Sequence, residues 1–302
     1  MYIRKRIGVF GLLARYWRAV ILIVATASAS TVAYLELLEP YIEMSIVVLT
    51  GLTTAISFFI AFFTSQAYDR WWEARKIWGE FVNDSRSFGR MVTTLFRNTD
   101  GQPDVAAIHA RLIRRHIGYL HAVKERLRNE NTKEYVEYLS GDDASQVGSA
   151  ANVGDALLQL QGKEIDAAER AGHIDVIRLA QLNDMLSRFS TSAGKSERIK
   201  TTVFPAYYAS LIRISIWFFI VVFPVALSHE IGYWAIVYTA LLGTIFYLIL
   251  QAGQGLLDPF EGAPTDTPMS SIIRTIEINL LQQLGETDIP QPLEPVDGKY
   301  LM

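Results

Sequence analysis

The stretch "FFIAFFTSQAYDRWW", residues 58–72, begins as an apolar segment and ends as a charged aromatic one. Four phenylalanines lie within six positions, and Thr64, Ser65 and Gln66 separate them from the closing motif. Rings on more than one face suit a helix surrounded by lipid or protein, whereas tryptophans beside charges are favoured where a bilayer meets water. The stretch therefore predicts a membrane helix that enters the cytosol near its tryptophan pair.

The composition of the 302 residues agrees with a membrane protein. Half of the residues are hydrophobic, only 20% are charged, and the mean hydropathy is +0.19. The net charge of −3 gives no general reason to expect nucleic acid as a partner. Cysteine is absent from the sequence, which excludes disulfides, thiolate metal sites and thiol nucleophiles.

Four apolar runs are long enough to cross a bilayer as helices, which takes roughly 20 residues. They are Ala19–Leu38, Ser45–Ser65, Val203–Leu227 and Gly232–Ala252. The connections inside the two pairs contain Glu and no Lys or Arg, whereas the outer flanks are basic. The positive-inside rule then places both termini and the middle of the chain in the cytoplasm. We therefore expect a multi-pass protein of the cell (inner) membrane, in contact with membrane lipid.

Residues 69–202 are predicted to be a cytosolic helical bundle inserted between the two transmembrane hairpins. The first apolar stripe of this block continues from the second span with helical spacing. Further helices are expected at about Asp104–Leu127, Asp155–Ala171 and Ile174–Arg188, with a turn-rich loop at 139–154. No strand-like alternation persists, so the predicted fold class is an all-α membrane protein.

The predicted domain boundaries follow these changes in composition. We expect an N-terminal cytosolic amphipathic segment at 1–18, transmembrane hairpin 1 at 19–68 and the cytosolic domain at 69–202. Transmembrane hairpin 2 follows at 203–255, a post-membrane segment at 256–284 and a proline-rich tail at 285–302. A single chain with four spans leaves little room for a polar path. A pore would therefore need several copies around an axis.

The search for catalytic and metal-binding residues predicts neither an enzyme nor a cofactor or metal site. The five histidines lack the spacing of a metal motif, and His116 and His121 are expected to be solvated and structural. The acidic pair Asp142–Asp143 is likewise expected to be solvated within its loop. The sequence "AGKSE" at 193–197 resembles the end of a phosphate-binding loop but lacks the first glycine and a preceding strand.

Arg213 falls within the third apolar run, where an ionisable residue is costly. Two interpretations stay open. The side chain either faces protein or water inside the membrane, or it snorkels to the cytosolic interface. Because charges of the first kind mark ion pathways, Arg213 is a structural or gating candidate.

One face of the second apolar run has small or polar residues at both ends and phenylalanines between them. In helical register, Thr54, Phe58 and Phe62 share this face. They either pack against neighbouring spans or form three successive rings around a shared axis. In the second case they make a hydrophobic constriction. Since phenyl edges carry positive partial charge, a crown of edges tolerates an anion better than a cation.

Three motifs resemble the bestrophin family of ion channels and keep that family's order over about residues 1–285. "AYDRWWEARKIWG" at 67–79 resembles its Arg-Trp-Trp region, and "LLDPFEGAPTDTP" at 256–268 resembles its Asn/Asp-Pro-Phe signature. "SERIKTTVFPAYY" at 196–208 is similar to the segment that enters the third span. The resemblance implies a homopentameric channel around a central pore, with chloride or another small anion as the permeant ion.

Matched residue by residue, the resemblance implies a pore neck at Thr54, Phe58 and Phe62. It also implies a cytosolic aperture at Ile177, which would otherwise be an ordinary core isoleucine. Structural or gating roles are implied for the aromatic collar and the signature motif, namely Asp69, Arg70, Trp71, Trp72, Asp258, Pro259 and Phe260. The family usually has an aliphatic residue at the position of Thr54, so the outermost ring should be less hydrophobic here.

Two departures from the family pattern bear on gating and selectivity. Calcium-gated animal members carry consecutive acidic residues after the signature, whereas Glu261 and Asp266 are isolated, so calcium gating by that clasp is not expected. Some bacterial members favour cations, and Glu36, Glu39 and Glu43 in the outer loop would attract sodium to the mouth. A dehydrated neck screens charge least, which favours anions here.

The alternatives to an anion channel are a sodium-selective relative, a secondary transporter and a non-conducting scaffold. No internal repeat of the kind that many transporters contain is found in the sequence.

Overall fold

The computed structural model describes residues 9–42, 44–98, 104–202, 204, 206–296 and 298–302. Within these ranges the chain forms α-helices, one π-helical turn (Tyr34–Leu38) and one 3-10 helix (Glu134–Tyr138), with no β-strand. The α-helices are α1 (Val9–Arg15), α2 (Trp17–Ala33), α3 (Ile46–Leu95), α4 (Val105–Arg128), α5 (Gly141–Val147), α6 (Val153–Arg170), α7 (Val176–Thr201), α8 (Ala206–Ile231), α9 (Trp234–Gln254) and α10 (Met269–Gln283). The predicted all-α class is confirmed for the described residues.

In the described part of the chain, four helical segments are long and apolar enough to cross a membrane. They are Trp17–Leu38, Val47–Leu95, Tyr207–Ile231 and Trp234–Gln254. Each segment overlaps one of the four predicted apolar runs, and the second extends well beyond the predicted end at Ser65. Val203, the predicted start of the third run, lies outside the described residues. Gly232 makes the turn between α8 and α9 with a positive φ of 59°, a conformation that glycine adopts without steric cost.

α3 is a single helix of 50 residues. At 1.5 Å per residue it is about 75 Å long, more than twice the thickness of a bilayer's hydrocarbon core. The predicted continuation of the second span into the following polar segment is therefore observed. The helix contains no proline, the residue that most often kinks a helix.

The described residues form two compact units. The membrane unit consists of those up to Arg70 and those of Val203–Leu257, and the soluble unit contains Trp71–Thr202 and Asp258–Met302. The core of the membrane unit includes the fully buried rings of Phe63 and Phe219. α9 approaches its neighbours closely at Gly243, where a Cβ atom would lie 2.9 Å from Cγ1 of Ile220. Small residues permit such close packing between membrane helices.

α4 lies within the core of the soluble unit, and most of its residues are buried. The prediction that His116 is solvated is wrong, because its side chain is fully buried with Nε2 2.8 Å from Oγ of Ser85 and its ring 4.3 Å from that of Phe189. His121 is also largely buried, and its Nδ1 lies 2.9 Å from a carboxylate oxygen of Glu134. The polar residues of α4 suggested a solvated face, but several of them pair inside the protein.

The loop predicted at 139–154 contains the short helix α5, whose N-cap Ser140 accepts a hydrogen bond from the backbone of Asp143. Asp142 is exposed, whereas Asp143 is buried and accepts hydrogen bonds from Nε and Nη2 of Arg115 at 3.0 and 2.8 Å. The prediction that both acids are solvated is therefore wrong for Asp143. Its partner is distant in sequence, and local turn signals do not reveal it.

The buried, neutral His116 predicts that the soluble unit loses stability in acid. Burial lowers the pKa of His116 to about 3, compared with about 6.5 in an unfolded chain. Between these pH values the unfolded state binds a proton that the folded state does not. Stability should therefore fall as the pH decreases from about 6.5, by up to about 1.4 kcal/mol per pH unit.

We expect His116→Gln, which cannot be protonated, to weaken this pH dependence. Thermal unfolding between pH 6.5 and 4.5 should show a shallower loss of stability than in the unchanged protein. Ser85→Ala serves as the control, because it removes the partner of His116 and retains the imidazole. An equally steep loss in the unchanged protein and in His116→Gln would contradict the assignment.

Candidate functional site

Within the membrane unit, α3 buries one face and leaves the opposite face uncovered. Ile56, Ile60 and Phe63 recur at helical spacing on the buried face. Phe58 and Phe62, by contrast, are 68% and 51% exposed. An apolar ring that its own chain leaves uncovered must contact lipid, another chain or a pore.

The uncovered face also carries Thr54, which is exposed and donates a hydrogen bond from Oγ1 to the carbonyl oxygen of Thr50 at 2.8 Å. This bond satisfies the hydroxyl donor locally, so the outer position of the face is only weakly polar. Thr54, Phe58 and Phe62 thus lie on one exposed face, as their spacing predicts. Their role as a pore neck remains a prediction.

Tyr208 on α8 orients the phenylalanines of α3. Its ring meets those of Phe59 and Phe62 edge to face, with centroids 6.3 and 6.5 Å apart. Phe58 in turn meets Phe59 edge to face at 6.3 Å. Such contacts favour defined ring orientations. The sequence analysis did not single out Tyr208, although it lies in the motif at 196–208.

Two charged candidates of the membrane unit occupy exposed positions. Arg213 is exposed on α8, two turns from the start of the helix. Asp69 is exposed on α3, and its neighbour Arg70 is half-buried. Arg213 therefore does not pack inside its own chain.

In the soluble unit, Trp71 and the signature motif belong to one packed region. Trp71 donates a hydrogen bond from Nε1 to the carbonyl oxygen of Thr265 at 2.9 Å. The indole ring of Trp72 lies 6.2 Å from that of Trp71 and is half exposed. The loop that follows the signature therefore binds α3 at Trp71, the first residue of that helix in this unit. Neither sequence motif alone indicates this contact.

The signature motif forms a turn that is held by hydrogen bonds and an ion pair. Asp258 accepts a hydrogen bond from the backbone of Phe260 at 3.2 Å and pairs with Nζ of Lys200 at 2.6 Å. Phe260 is fully buried, and the carbonyl oxygen of Pro259 accepts from the backbone of Thr267 at 3.0 Å. The sequence analysis did not predict that Lys200 pairs with Asp258. The position of Lys200 in the basic segment before the third span could have indicated this role.

The two isolated acids after the signature are already engaged by the protein. Asp266 is buried and accepts a hydrogen bond from the backbone of Ala263 at 2.9 Å, and its pKa is raised chiefly by burial. Glu261 is exposed, 3.6 Å from Nζ of Lys200. Across the described part of the chain, no group of three or more His, Asp or Glu side chains could hold a metal ion.

Ile177 lies in the first turn of α7 and is 69% exposed. The N-cap Asp175 accepts hydrogen bonds from the backbones of Ile177 and Arg178, which fixes the start of this helix. α7 continues past the predicted end at Arg188 as far as Thr201. An exposed apolar tip is unusual for a core residue, so the core interpretation of Ile177 is not supported.

Comparison with known proteins agrees with these features. The sequence model of the bacterial/fungal bestrophin proteins matches residues 11–282. The voltage-dependent anion channel-forming protein mll4386 of Mesorhizobium japonicum is 29% identical over 252 residues, 83% of this chain and 78% of the relative. The voltage-dependent anion channel-forming protein YneE of Escherichia coli K12 is 29% identical over 245 residues, 81% of this chain and 78% of the relative.

Solved structures show the same fold. A crystal structure of a bacterial bestrophin homologue from Klebsiella pneumoniae superposes with a TM-score of 0.82 at 23% identity, covering 89% of this chain and 98% of that chain. A mutant of a Klebsiella pneumoniae homologue gives 0.83 at the same identity, covering 93% and 100%. The fold and its four apolar helices define an all-α membrane protein. The chain belongs to the bacterial/fungal bestrophin family.

Proposed function

We propose that this protein is an anion channel assembled from five copies around a central pore, with Thr54, Phe58 and Phe62 of each copy forming the neck. The observation that carries the proposal is the uncovered aromatic face of α3, on which Phe58 is 68% exposed. Five copies arranged around this face would cover the rings and enclose a narrow apolar path. Relatives that are anion channel-forming proteins support the same activity.

The chemistry of the neck favours anions over cations. The phenylalanines lie in edge-to-face contacts, and the edge of a phenyl ring carries positive partial charge. In a dry constriction these partial charges are poorly screened. Chloride is the ion that we expect to pass.

Sodium selectivity is the second candidate, because the outer end of the membrane unit is acidic. Glu36 and Glu39 are both exposed near the end of the first apolar segment. Exposed carboxylates raise the local concentration of cations. The effect of these carboxylates at the mouth is screened by water and salt, whereas the neck is dehydrated. The neck should therefore influence ion selectivity more than the mouth does.

The remaining assignments belong to the same proposal. The soluble unit lies in the cytosol, both termini are cytoplasmic, and the protein resides in the inner membrane, as the distribution of basic residues predicts. Ile177 and its symmetry copies form a second constriction in the cytosolic part of the path. We also propose gating roles for Arg213, Asp69 and the signature motif. The domain boundaries are proposed as the sequence predicts them. The protein is a channel rather than an enzyme.

The reversal potential of the purified protein in a planar bilayer tests the function. Across a tenfold gradient of sodium chloride, an anion channel should reverse near the chloride equilibrium potential, about 59 mV from zero. Reversal near the sodium potential would retain the channel and overturn the selectivity. An absence of current in repeated preparations would favour a scaffold, and saturable flux that needs a co-substrate would favour a transporter.

A further inference from the structure

Arg128, the last residue of α4, is a buried cation whose hydrogen bonds are incomplete. Its side chain is only 6% exposed. Nη1 donates to Oγ of Ser270 at 3.2 Å, but Nε and Nη2 are buried and have no hydrogen-bond partner among the described residues. Because buried donors are nearly always paired, two orphaned donors on one guanidinium point to a missing acceptor.

The two orphaned atoms identify the kind of acceptor. Nε and Nη2 form one edge of the planar guanidinium and direct two parallel N–H groups outward. This fork matches two oxygen atoms held by one carbon or phosphorus atom, as in a carboxylate or a phosphate. Glu130 does not supply them, because its carboxylate pairs with Nη1, at 4.0 Å, and is itself partly exposed.

The surroundings of Arg128 also favour an anion. Ser270 is the second residue of α10, so the guanidinium adjoins the N-terminus of a 15-residue helix. In this first turn, the backbone amides of Met269 and Ser271 already donate to backbone oxygens of Thr267 and Met302, each at 2.8 Å. The contribution of α10 to an anion at Arg128 is therefore its dipole, which favours negative charge at this end of the helix.

Gly262 brings the backbone of the signature loop against the same guanidinium. An ideal Cβ atom at this position would lie 3.9 Å from both Cζ and Nε of Arg128 and 3.6 Å from the Cε atom of Met302. Gly262 has a φ of 85°, which other residues rarely adopt. The loop thus lies against the guanidinium near Cζ and Nε, and the end of the Met302 side chain lies near the same glycine.

We propose that Arg128 and the first turn of α10 form a binding site for a small oxyanion with two adjacent oxygens, a carboxylate or a phosphate. Nε and Nη2 of Arg128 hold the two oxygens, and the N-terminus of α10 stabilises the charge. Because Nε and Nη2 are buried, the loop at Gly262 must move for the ligand to enter. The site lies wholly within the soluble unit and does not depend on the proposed channel function.

Thermal unfolding of the full-length protein in detergent tests the site. Sodium phosphate, sodium acetate and sodium chloride are each titrated from 0.1 to 20 mM at constant sodium concentration and ionic strength. We expect phosphate, acetate or both to raise the unfolding midpoint saturably by about 3 °C or more relative to chloride. Phosphate alone would identify a phosphate site, acetate alone a carboxylate site, and both would identify the shared two-oxygen chemistry.

Arg128→Lys keeps the charge but lacks the two-donor fork, so it should lose at least half of this shift. Arg126→Lys is the matched control, because Arg126 lies on the same helix but is exposed and pairs with Glu197. It should retain the full shift. Ser270→Asp provides a second variant, since a carboxylate beside Nη1 would repel a second anion at the neighbouring edge and should also remove at least half of the shift. The proposal is overturned if neither oxyanion exceeds chloride in the unchanged protein, or if Arg128→Lys and Ser270→Asp both retain the full shift.

Discussion

Phe58→Ala is expected to abolish most of the ion selectivity of the channel. The substitution removes the most exposed ring of the proposed neck and, with it, the aromatic edges that we propose to face the permeant ion. A wider neck holds water, and water screens the remaining partial charges. In a tenfold sodium chloride gradient the reversal potential should move from tens of millivolts to within about 10 mV of zero, while the single-channel conductance rises.

Phe59→Ala is the matched control for this experiment. It removes the same chemical group from the adjacent position of α3, where Phe59 contacts Tyr208 and Phe58. Its reversal potential should stay close to that of the unchanged protein. If Phe58→Ala retains the original reversal potential, Phe58 does not set selectivity. If Phe59→Ala alone changes it, the pore-facing side of α3 has been assigned to the wrong residues.

Arg115→Met is expected to destabilise the soluble unit by about 3–5 kcal/mol. Arg115 is 5% exposed and is paired with Asp143 and, through Nη1 at 2.8 Å, with Glu164. Methionine fills a similar volume but leaves Asp143 buried without its cation. Thermal unfolding should show a midpoint lower by roughly 10 °C, given about 2–4 °C per kcal/mol for a unit of this size.

The neighbouring Arg111 supplies the control, because it pairs with the same Glu164 at 2.6 Å but its side chain is 46% exposed. Arg111→Met should cost less than about 1 kcal/mol. Adding Asp143→Leu to Arg115→Met should recover part of the lost stability, because no uncompensated charge then remains buried. Equal losses in Arg111→Met and Arg115→Met would show that burial of this pair is not what matters.

The membrane helices could be predicted from the sequence because their signal is local. Long apolar runs and the helical spacing of Thr54, Phe58 and Phe62 depend only on neighbours in the chain, and these three residues share one face of α3, as the spacing predicts. The side that faces a pore, however, is set by other copies of the chain. The neck therefore follows from register and resemblance rather than from contacts.

The errors occurred where burial is decided by distant elements. α4 reads as a polar, solvated helix, but its Arg115 and His116 are covered by segments that lie far away in sequence. A buried Arg or His becomes tolerable only when a partner such as Asp143 or Ser85 arrives from another element. Composition cannot report such partners. Arg128 escaped notice for the same reason.

The unbroken α3 has a mechanical consequence. A helix of 50 residues without proline resists twisting, because every turn is locked to the next by backbone hydrogen bonds. The rings of Phe58 lie roughly 6 Å from the helix axis, so a rotation of about 20° sweeps each ring edge through about 2 Å. That distance is comparable to the radius of a small ion. In the proposed channel, a small rotation of α3 about its own axis would therefore be enough to change the diameter of the ring formed by Phe58 and its copies.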